Sequence, residues 1–245
     1  MHNGSGPVAD SRITEPSGPF GLRARYRSHP VDEQRQFRAV IFDLGGVVFP
    51  SPFDAFDRYN AVAGLPDGFI RSLIRASSET GAWAALERGE LGTPAFHAAL
   101  EAEAAVHDLT IDASALMAEV GKGFGPRPEM IAAIRALRSA GLRTAALTNN
   151  WASGEDAVDT TGGLSDPELF DTIVESSVVG LRKPDPAIYE LVLDRLGLGA
   201  RDAIFLDDLG MNLKPARAMG MATIKVGDPA VAIGELASLV GIPLS

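Results

Sequence analysis

The alternation of apolar and polar positions divides the chain into short strand-like runs and longer helix-like runs. An apolar run from Arg38 to Phe42 ends on the carboxylate of Asp43, which is typical of a strand buried on both faces of a parallel sheet. Further short apolar runs predict strands at 144–147, 171–175, 203–206 and 222–226. Between them, helical spacing and capping residues predict helices. These repeated strand–helix units predict an α/β fold with a doubly wound parallel sheet.

The segment 53–122 has helical spacing throughout and contains no strand-like run. The spacing predicts about four helices there. One should begin with Thr93 as N-cap before Pro94, and another at Asp112. We therefore expect a helical insertion at 53–122, and an α/β core formed by 37–52 and 123–245.

The first 36 residues are rich in Gly, Pro, Ser and Arg and lack the apolar centre of a signal peptide. We expect them to form a disordered leader. A transit peptide is the alternative, although the arginines lack amphipathic helical spacing. No apolar run approaches the roughly 20 residues that span a bilayer. The chain is therefore expected to be cytoplasmic, without a membrane partner.

Composition narrows the possible chemistry. The formal charge of −10 argues against a nucleic-acid partner, because phosphate backbones bind basic surfaces. The chain has no cysteine, so disulfides, thiol catalysis and thiolate-bound metals are excluded. Its four histidines show no metal-ligand spacing. Any bound metal would be a hard ion held by oxygen.

Polar residues stand at or beyond the ends of the predicted strands. They are Asp43, the pair Thr148 and Asn149, Lys183 in the loop before a predicted helix at Asp185, and the pair Asp207 and Asp208. Each alone is better explained as a turn residue, a surface charge or a helix cap. Because parallel strands end at one edge of a sheet, all of them can converge there. Together they predict a functional site.

This set of residue types suits phosphoryl transfer through an aspartyl phosphate. Asp43 would be the nucleophile, and Mg²⁺ would offset the repulsion between anions. The metal ligands would be Asp43, Asp207, Asp208 and the backbone carbonyl of Gly45. Phosphoryl oxygens would be bound by Thr148, Asn149 and Lys183, with nearby backbone N–H groups. The expected partner is a small phosphorylated metabolite, and the sequence does not predict an oligomeric state.

Four segments carry a resemblance to a known family. In order, residues 42–47, 147–150, 183–189 and 205–208 resemble the four motifs of the haloacid dehalogenase (HAD) superfamily, and the helical insertion resembles its C1-type cap. Residues 205–226 are similar to the phosphatase domain of soluble epoxide hydrolases. The pairs at 45–46, 51–52 and 149–150 are similar to the HAD-like domain of acyl-CoA dehydrogenase family member 10. The resemblance extends from about Arg38 onwards and implies a Mg²⁺-dependent hydrolase with a Rossmann-like core.

One position departs from the family pattern. Phosphatases of the superfamily usually carry a second aspartate two residues after the nucleophile, as acid and base, and here Gly45 occupies that position. Losing such a group typically costs on the order of 10²–10⁴ in rate. The leaving group would then need little protonation, as in acyl, aryl or sugar-1-phosphates, or the cap would supply the proton. The cap candidates are Glu79, Glu87, Glu90 and His97.

Three functions remain open at this stage. The first is a phosphatase with a displaced or missing proton donor. The second is a 2-haloacid dehalogenase, which also lacks the second aspartate, but Asp207 and Asp208 count against it because that branch keeps no such pair. The third is a regulatory domain that binds a phospho-ligand with little or no turnover. Trp83 and Trp151 are candidates for the cavity entrance, although such aromatics are more often part of a core.

Overall fold

The computed structural model describes residues 36–122, 125–151 and 169–244. Five strands lie within these ranges and form one parallel sheet of order β3-β2-β1-β4-β5. They are β1 (Ala39–Phe42), β2 (Arg143–Thr148), β3 (Thr172–Glu175), β4 (Ala203–Asp207) and β5 (Ala222–Lys225). The expected disordered leader falls, except for its last residue, outside the described residues.

The described residues contain ten α-helices and a 3₁₀ turn at Ala200–Asp202. Five helices follow β1 directly: α1 (Pro52–Ala63), α2 (Phe69–Ala76), α3 (Ala82–Glu87), α4 (Thr93–Ala105) and α5 (Ala113–Gly121). The others are α6 (Pro128–Ser139), α7 (Ser176–Val179), α8 (Pro186–Leu196), α9 (Gly210–Met219) and α10 (Pro229–Val240). Within this part of the chain, no helix combines the length and apolar character needed to cross a membrane.

The sheet is covered on both faces, which confirms the expected α/β fold. Alternate residues of β1 point to opposite faces. Val40 and Phe42 join a core with residues of α6 and α10. Ala39 and Ile41 join a second core with residues of α8 and α9. All four residues of β1 are fully buried, as expected for the central strand of a doubly wound sheet.

Helices α1 to α5 pack around a third hydrophobic cluster, which contains Phe56, Trp83, Phe96 and Leu116. The expectation of about four helices in this segment was therefore one too low. The proposed start at Asp112 is confirmed, because its side chain accepts a hydrogen bond from the Ala115 N–H. The proposed N-cap at Thr93 was wrong by one position. Gly92 is the N-cap, and Thr93 is already helical.

Two helices were absent from the sequence prediction. The four-residue helix α7 is too short to show a periodic pattern. Helix α10 begins with Asp228 as N-cap and Pro229 as first helical residue, with the Asp228 side chain accepting from two backbone N–H groups. The same Asp–Pro pair begins α8 at Asp185. The cap chemistry at residue 228 could therefore have identified α10.

Strand register explains how the central carboxylates approach one another. Phe42 pairs with Leu206 of β4 and Ala146 of β2, and the Asp43 N–H donates to the Leu206 carbonyl at 2.9 Å. Asp43 therefore leaves the sheet level with Asp207, the last residue of β4. The Lys183 loop follows α7, eight positions beyond the end of β3.

Candidate active site

Three carboxylates and one ammonium group form a compact cluster at the carboxyl edge of the sheet. The Lys183 Nζ lies 2.8 Å from Asp43 Oδ1 and 2.8 Å from Asp207 Oδ2. Oxygens of Asp43, Asp207 and Asp208 all lie within 4.8 Å of one another. Lys183 is 1% exposed and Asp207 is fully buried. The convergence expected from the strand ends is present for these four residues.

Burial and mutual charge shift the acid–base properties of the cluster. Burial raises the pKa of Asp43 well above its usual range, although the Lys183 ammonium opposes the rise. Burial and the charge of Asp207 raise the pKa of Asp208 to about 6. Burial alone would lower the pKa of Lys183, but the two carboxylates outweigh it, and the pKa is raised. Lys183 therefore stays protonated. Its single positive charge cannot balance the three carboxylates of Asp43, Asp207 and Asp208 when all of them are ionised.

Asn149 positions the lysine through the backbone. Its Oδ1 accepts from the Lys183 N–H at 2.8 Å, and its Nδ2 donates to the Lys183 carbonyl at 3.0 Å. These two bonds join the end of β2 to the loop before α8. The predicted phosphate contact of Asn149 remains a prediction, and the amide is already engaged with the Lys183 backbone.

Two residues that sequence reasoning missed hold the acidic pair. The Asn212 Nδ2 donates to both carboxylate oxygens of Asp207, at 3.0 and 3.1 Å. The Ser51 hydroxyl donates to Asp208 Oδ2 at 3.4 Å and is also the N-cap of α1. Asn212 lies in the first turn of α9, five positions after Asp207, so it is close to the acidic pair in sequence, although Asp207 and Asp208 both precede the helix. Ser51 is 157 positions away from Asp208, and only the fold brings the two together.

The two glycines after Asp43 differ in their surroundings. Gly46 has φ +79°, and a Cβ placed there would lie 2.2 Å from Asp208 Oδ2. At Gly45 a Cβ would meet only Pro52 Cδ, at the ordinary contact distance of 3.6 Å. Side chains are therefore excluded at residue 46 by the carboxylate of Asp208, whereas residue 45 has room for one.

Thr148 is not joined to the charged cluster. The residue is buried, and its hydroxyl donates only a long hydrogen bond, 3.4 Å, to the Asn149 carbonyl. Among the described residues it makes no hydrogen bond to Asp43, Lys183 or the acidic pair, and it does not line the adjoining cavity. Its predicted contact with a phosphoryl group remains a prediction.

A cavity of about 560 Å³ opens beside the cluster. Asp43, Lys183 and Asp208 lie on its wall together with Gly45, and helices α1 to α3 supply the opposite side. Both tryptophans considered from the sequence, Trp83 and Trp151, line this cavity. The volume lies within the range of small-molecule sites, which is about 300–1,000 Å³.

One of the four candidate proton donors from the helical insertion reaches the cavity. Glu87 lines it, but its Oε2 is bound by the Arg182 guanidinium at 2.5 and 2.9 Å, and its Oε1 by Trp83 Nε1 at 3.0 Å. Glu79, Glu90 and His97 do not line the cavity. The structure thus separates these three from the charged cluster and ties the fourth to an arginine.

The donor set of the cluster fits a hard cation. Full ionisation would leave two negative charges uncompensated by Lys183, and carboxylate oxygens are the ligands that Mg²⁺ prefers. Both oxygens of Asp207 already accept protein hydrogen bonds. Asp208 accepts a long bond from the Ser51 hydroxyl and interacts with its own backbone N–H. The cluster could therefore bind a metal, with Asp208 the carboxylate least engaged by the protein.

The fold and this site define a hydrolase class. The sequence profile of the haloacid dehalogenase-like hydrolases matches residues 37–220, which is most of the chain. The chain belongs to this family, and the resemblance noted from its four motifs is confirmed.

Individual relatives fall in the same family. The chain is 41% identical over 218 residues to mouse acyl-CoA dehydrogenase family member 10, covering 86% of this chain and 20% of that protein. It is 33% identical over 221 residues to pig bifunctional epoxide hydrolase 2, covering 84% of this chain and 39% of that protein. The chain thus spans well under half of these two. A sesquiterpene phosphatase of Aspergillus oryzae is 29% identical over 212 residues, with 84% of this chain and 97% of that protein covered.

Solved structures show the same fold. A HAD-like family hydrolase from Porphyromonas gingivalis superposes with a TM-score of 0.61 at 20% identity, covering 82% of this chain and 98% of that one. A HAD family enzyme from Bacteroides thetaiotaomicron, solved with magnesium and inorganic phosphate, superposes with a TM-score of 0.57 at 16% identity. The match covers 78% of this chain and 94% of that one. At this level of identity the likeness concerns the fold.

Proposed function

We propose that this hydrolase is a Mg²⁺-dependent phosphatase of a small phosphorylated metabolite, with Asp43 as nucleophile and residues 53–122 acting as a cap. The observation that carries the proposal is the ion-paired cluster. A carboxylate at the cavity wall lies 2.8 Å from a buried ammonium and within 4.8 Å of two further carboxylates. The phosphatase named among the relatives and the magnesium and phosphate named for a structural neighbour support it.

The proposed reaction has two displacement steps at phosphorus. Asp43 attacks the phosphoryl group, the bond to the leaving oxygen breaks, and an aspartyl phosphate forms. Water then attacks this phosphorus and releases inorganic phosphate and free Asp43. Lys183 binds phosphoryl oxygens and keeps Asp43 ionised. The Gly45 carbonyl, Asp43, Asp207 and Asp208 would hold Mg²⁺, which would neutralise anionic repulsion during both steps.

The missing acid at residue 45 restricts the proposed substrates. Among the described residues of the cavity wall, no carboxyl is free to protonate a leaving group, because Asp43 and Asp208 belong to the charged cluster and Glu87 is paired with Arg182. Leaving groups that depart as stable anions are therefore favoured. The same observation supports a second candidate, a regulatory domain that binds a phospho-ligand and turns over slowly. A dehalogenase is disfavoured by the third carboxylate, which that reaction does not need.

The test is turnover of an aryl phosphate with and without Mg²⁺, in wild type and in the Asp43→Asn variant. We expect Mg²⁺-dependent release of phosphate that falls at least about a thousandfold in the variant, as for loss of a nucleophile. The control is Glu190→Gln, an exposed acid on α8, which should leave the rate unchanged. Phosphate binding without turnover would favour the regulatory domain. Equal turnover by wild type and Asp43→Asn would refute the proposed nucleophile.

A further inference from the structure

Beyond the charged cluster, the wall of the cavity is mainly apolar and aromatic. Phe53, Phe56, Trp83 and Trp151 form a continuous row of edge-to-face contacts, with ring centroids 5.6, 5.1 and 5.6 Å apart. All four line the cavity. Two of them, Phe53 and Trp151, pack against the third hydrophobic cluster but are only partly buried, so part of their apolar surface is left accessible in residues that line the cavity.

The apolar surface continues on the side of the α/β core. Leu209 and Met211 follow the acidic pair and line the same cavity, and Met211 is 50% exposed. Ile74 faces them from α2. An exposed apolar surface inside a concave site is stabilised by an apolar ligand, because the ligand removes that surface from water.

Polar side chains on the wall are largely engaged by the protein itself. Arg71 is paired with Asp57 at 2.5 Å, Arg182 with Glu87 at 2.5 Å, and Asn149 with the Lys183 backbone. Ser78 and the exposed Arg75 have no side-chain hydrogen bond or ion pair to the described residues. A sugar or polyol, which needs a partner for each hydroxyl, would find few free groups here.

We infer that the substrate is a phosphate ester whose organic part is apolar, a hydrocarbon chain or an aromatic ring system, and lies along this aromatic row. The inference rests on the proposed function for the phosphate end, since the charged cluster shares the wall with the row. The substrate is thus defined by two adjoining surfaces, one anion-binding and one apolar. The size of the cavity, about 560 Å³, exceeds the space that a phosphate on a two-carbon body would occupy.

The test is binding of n-alkylphosphonates, which cannot be hydrolysed, so that affinity is measured apart from turnover. Ethyl-, butyl-, hexyl- and octylphosphonate are titrated calorimetrically into the protein with Mg²⁺. The charged group stays the same along the series, and only apolar surface is added. We expect affinity to rise by about threefold for each CH₂ that leaves water, and by at least about 30-fold from ethyl to octyl, which corresponds to burial of about three of the six added CH₂ groups. A naphthylmethylphosphonate distinguishes a ring system from a chain as the preferred apolar part.

Two variants locate the apolar contact. Met211→Ser and Trp151→Ser should each lower the affinity for octylphosphonate by about tenfold, as for a lost hydrophobic contact. The affinity for ethylphosphonate should stay nearly unchanged. Val62→Ser is the matched control, because Val62 is 86% exposed and does not line the cavity. Thermal unfolding of each variant checks that the fold persists.

The outcomes separate the inference from the proposed function. Equal affinity along the series, or tighter binding of glycerol 3-phosphate than of octylphosphonate, would overturn the inference and leave the phosphate site standing. Failure of inorganic phosphate and every phosphonate to bind would overturn the proposed function itself.

Discussion

At the scale of single residues, glycine occurs at two adjacent positions after β1, and the reason differs between them. Gly46 has a positive φ, and its α-hydrogen side faces the carboxylate of Asp208 at a distance that no Cβ could occupy. Gly45 has an ordinary backbone conformation, and a Cβ there would meet Pro52 Cδ at an ordinary contact distance. Sterics therefore explain why residue 46 is a glycine. Sterics do not explain Gly45, which stands where the phosphatases of the family usually have an acidic side chain.

Alanine should distinguish the two positions. Gly46→Ala is expected to lower the free energy of unfolding by about 1–3 kcal/mol, because it combines left-handed strain with displacement of Asp208. Gly45→Ala should change it by less than about 0.5 kcal/mol. Denaturant unfolding measures both. A Gly46→Ala protein as stable as Gly45→Ala would contradict the close approach to Asp208.

An aspartate at residue 45 should supply the missing proton donor. The space beside Pro52 admits a Cβ, and residue 45 lines the cavity, so Gly45→Asp is expected to raise kcat/KM for alkyl phosphates by at least about tenfold, towards the 10²–10⁴ of general acid catalysis. Aryl phosphates, whose leaving groups need less protonation, should gain little. Gly45→Asn is the control of equal size without an acid. An equal gain in both variants would show that the effect is not proton transfer.

At the scale of elements, an ion pair between Glu87 and Arg182 joins helix α3 to the α/β core. Glu87 ends α3, and Arg182 immediately precedes Lys183, so their ion pair joins the helical insertion to the loop that carries the buried lysine. The side chains are only 10% and 16% exposed. Arg182 also donates to the Ser78 carbonyl, beyond α2. Arg182 thus links the helical insertion to the loop that carries Lys183.

A double-mutant cycle on Glu87→Gln and Arg182→Met should give a coupling energy of about 1.5–3 kcal/mol, as for hydrogen bonds to charged groups away from water. The comparison pair is Asp57 and Arg71, whose side chains are 52% and 38% exposed and should couple by less than about 1 kcal/mol. Both cycles are read from denaturant unfolding. Equal coupling in the two pairs would mean that burial adds nothing to the Glu87–Arg182 contact.

At the scale of the whole molecule, the fold gathers acidic groups that the chain alone would keep apart. Asp43 and Asp207 are 164 positions apart in sequence, yet strand pairing places them side by side next to one ammonium. Burial is the main reason that the pKa values of Asp43 and Asp208 are raised, and the repulsion between the gathered carboxylates raises them further. A bound divalent cation would relieve it.

Binding of Mg²⁺ should therefore depend on pH. Because the pKa of Asp208 is raised to about 6, its carboxyl is mostly protonated at pH 5 and must release a proton when it binds metal. Affinity is expected to rise by at least about tenfold between pH 5 and pH 7, measured by calorimetric titration. Asp208→Asn should bind more weakly and lose the part of this dependence that comes from Asp208, while the part from Asp43, whose pKa is also raised, should remain. A pH-independent affinity in wild type would argue against Asp208 as a ligand.

Local pattern was enough to predict the five strands and most of the helices. Continuous apolar runs marked β1 and β4, and the Asp–Pro pair at residue 185 marked the start of α8, because these preferences act over a few neighbouring residues. The equivalent pair at residue 228, which begins α10, was not recognised. The short α7 escaped prediction since four residues show no period, and Thr93 was misplaced because cap positions differ by one residue at such boundaries.

The sequence by itself determined which residue types stand at the strand ends, and from these the charged cluster of Asp43, Lys183, Asp207 and Asp208 could be predicted, because parallel strands must end at a common edge. Only the tertiary structure decided that Ser51 reaches Asp208, that Glu87 is bound by Arg182, and that four aromatic rings line the same cavity. These contacts join residues of distant segments through side-chain packing, and no local rule of spacing carries that information.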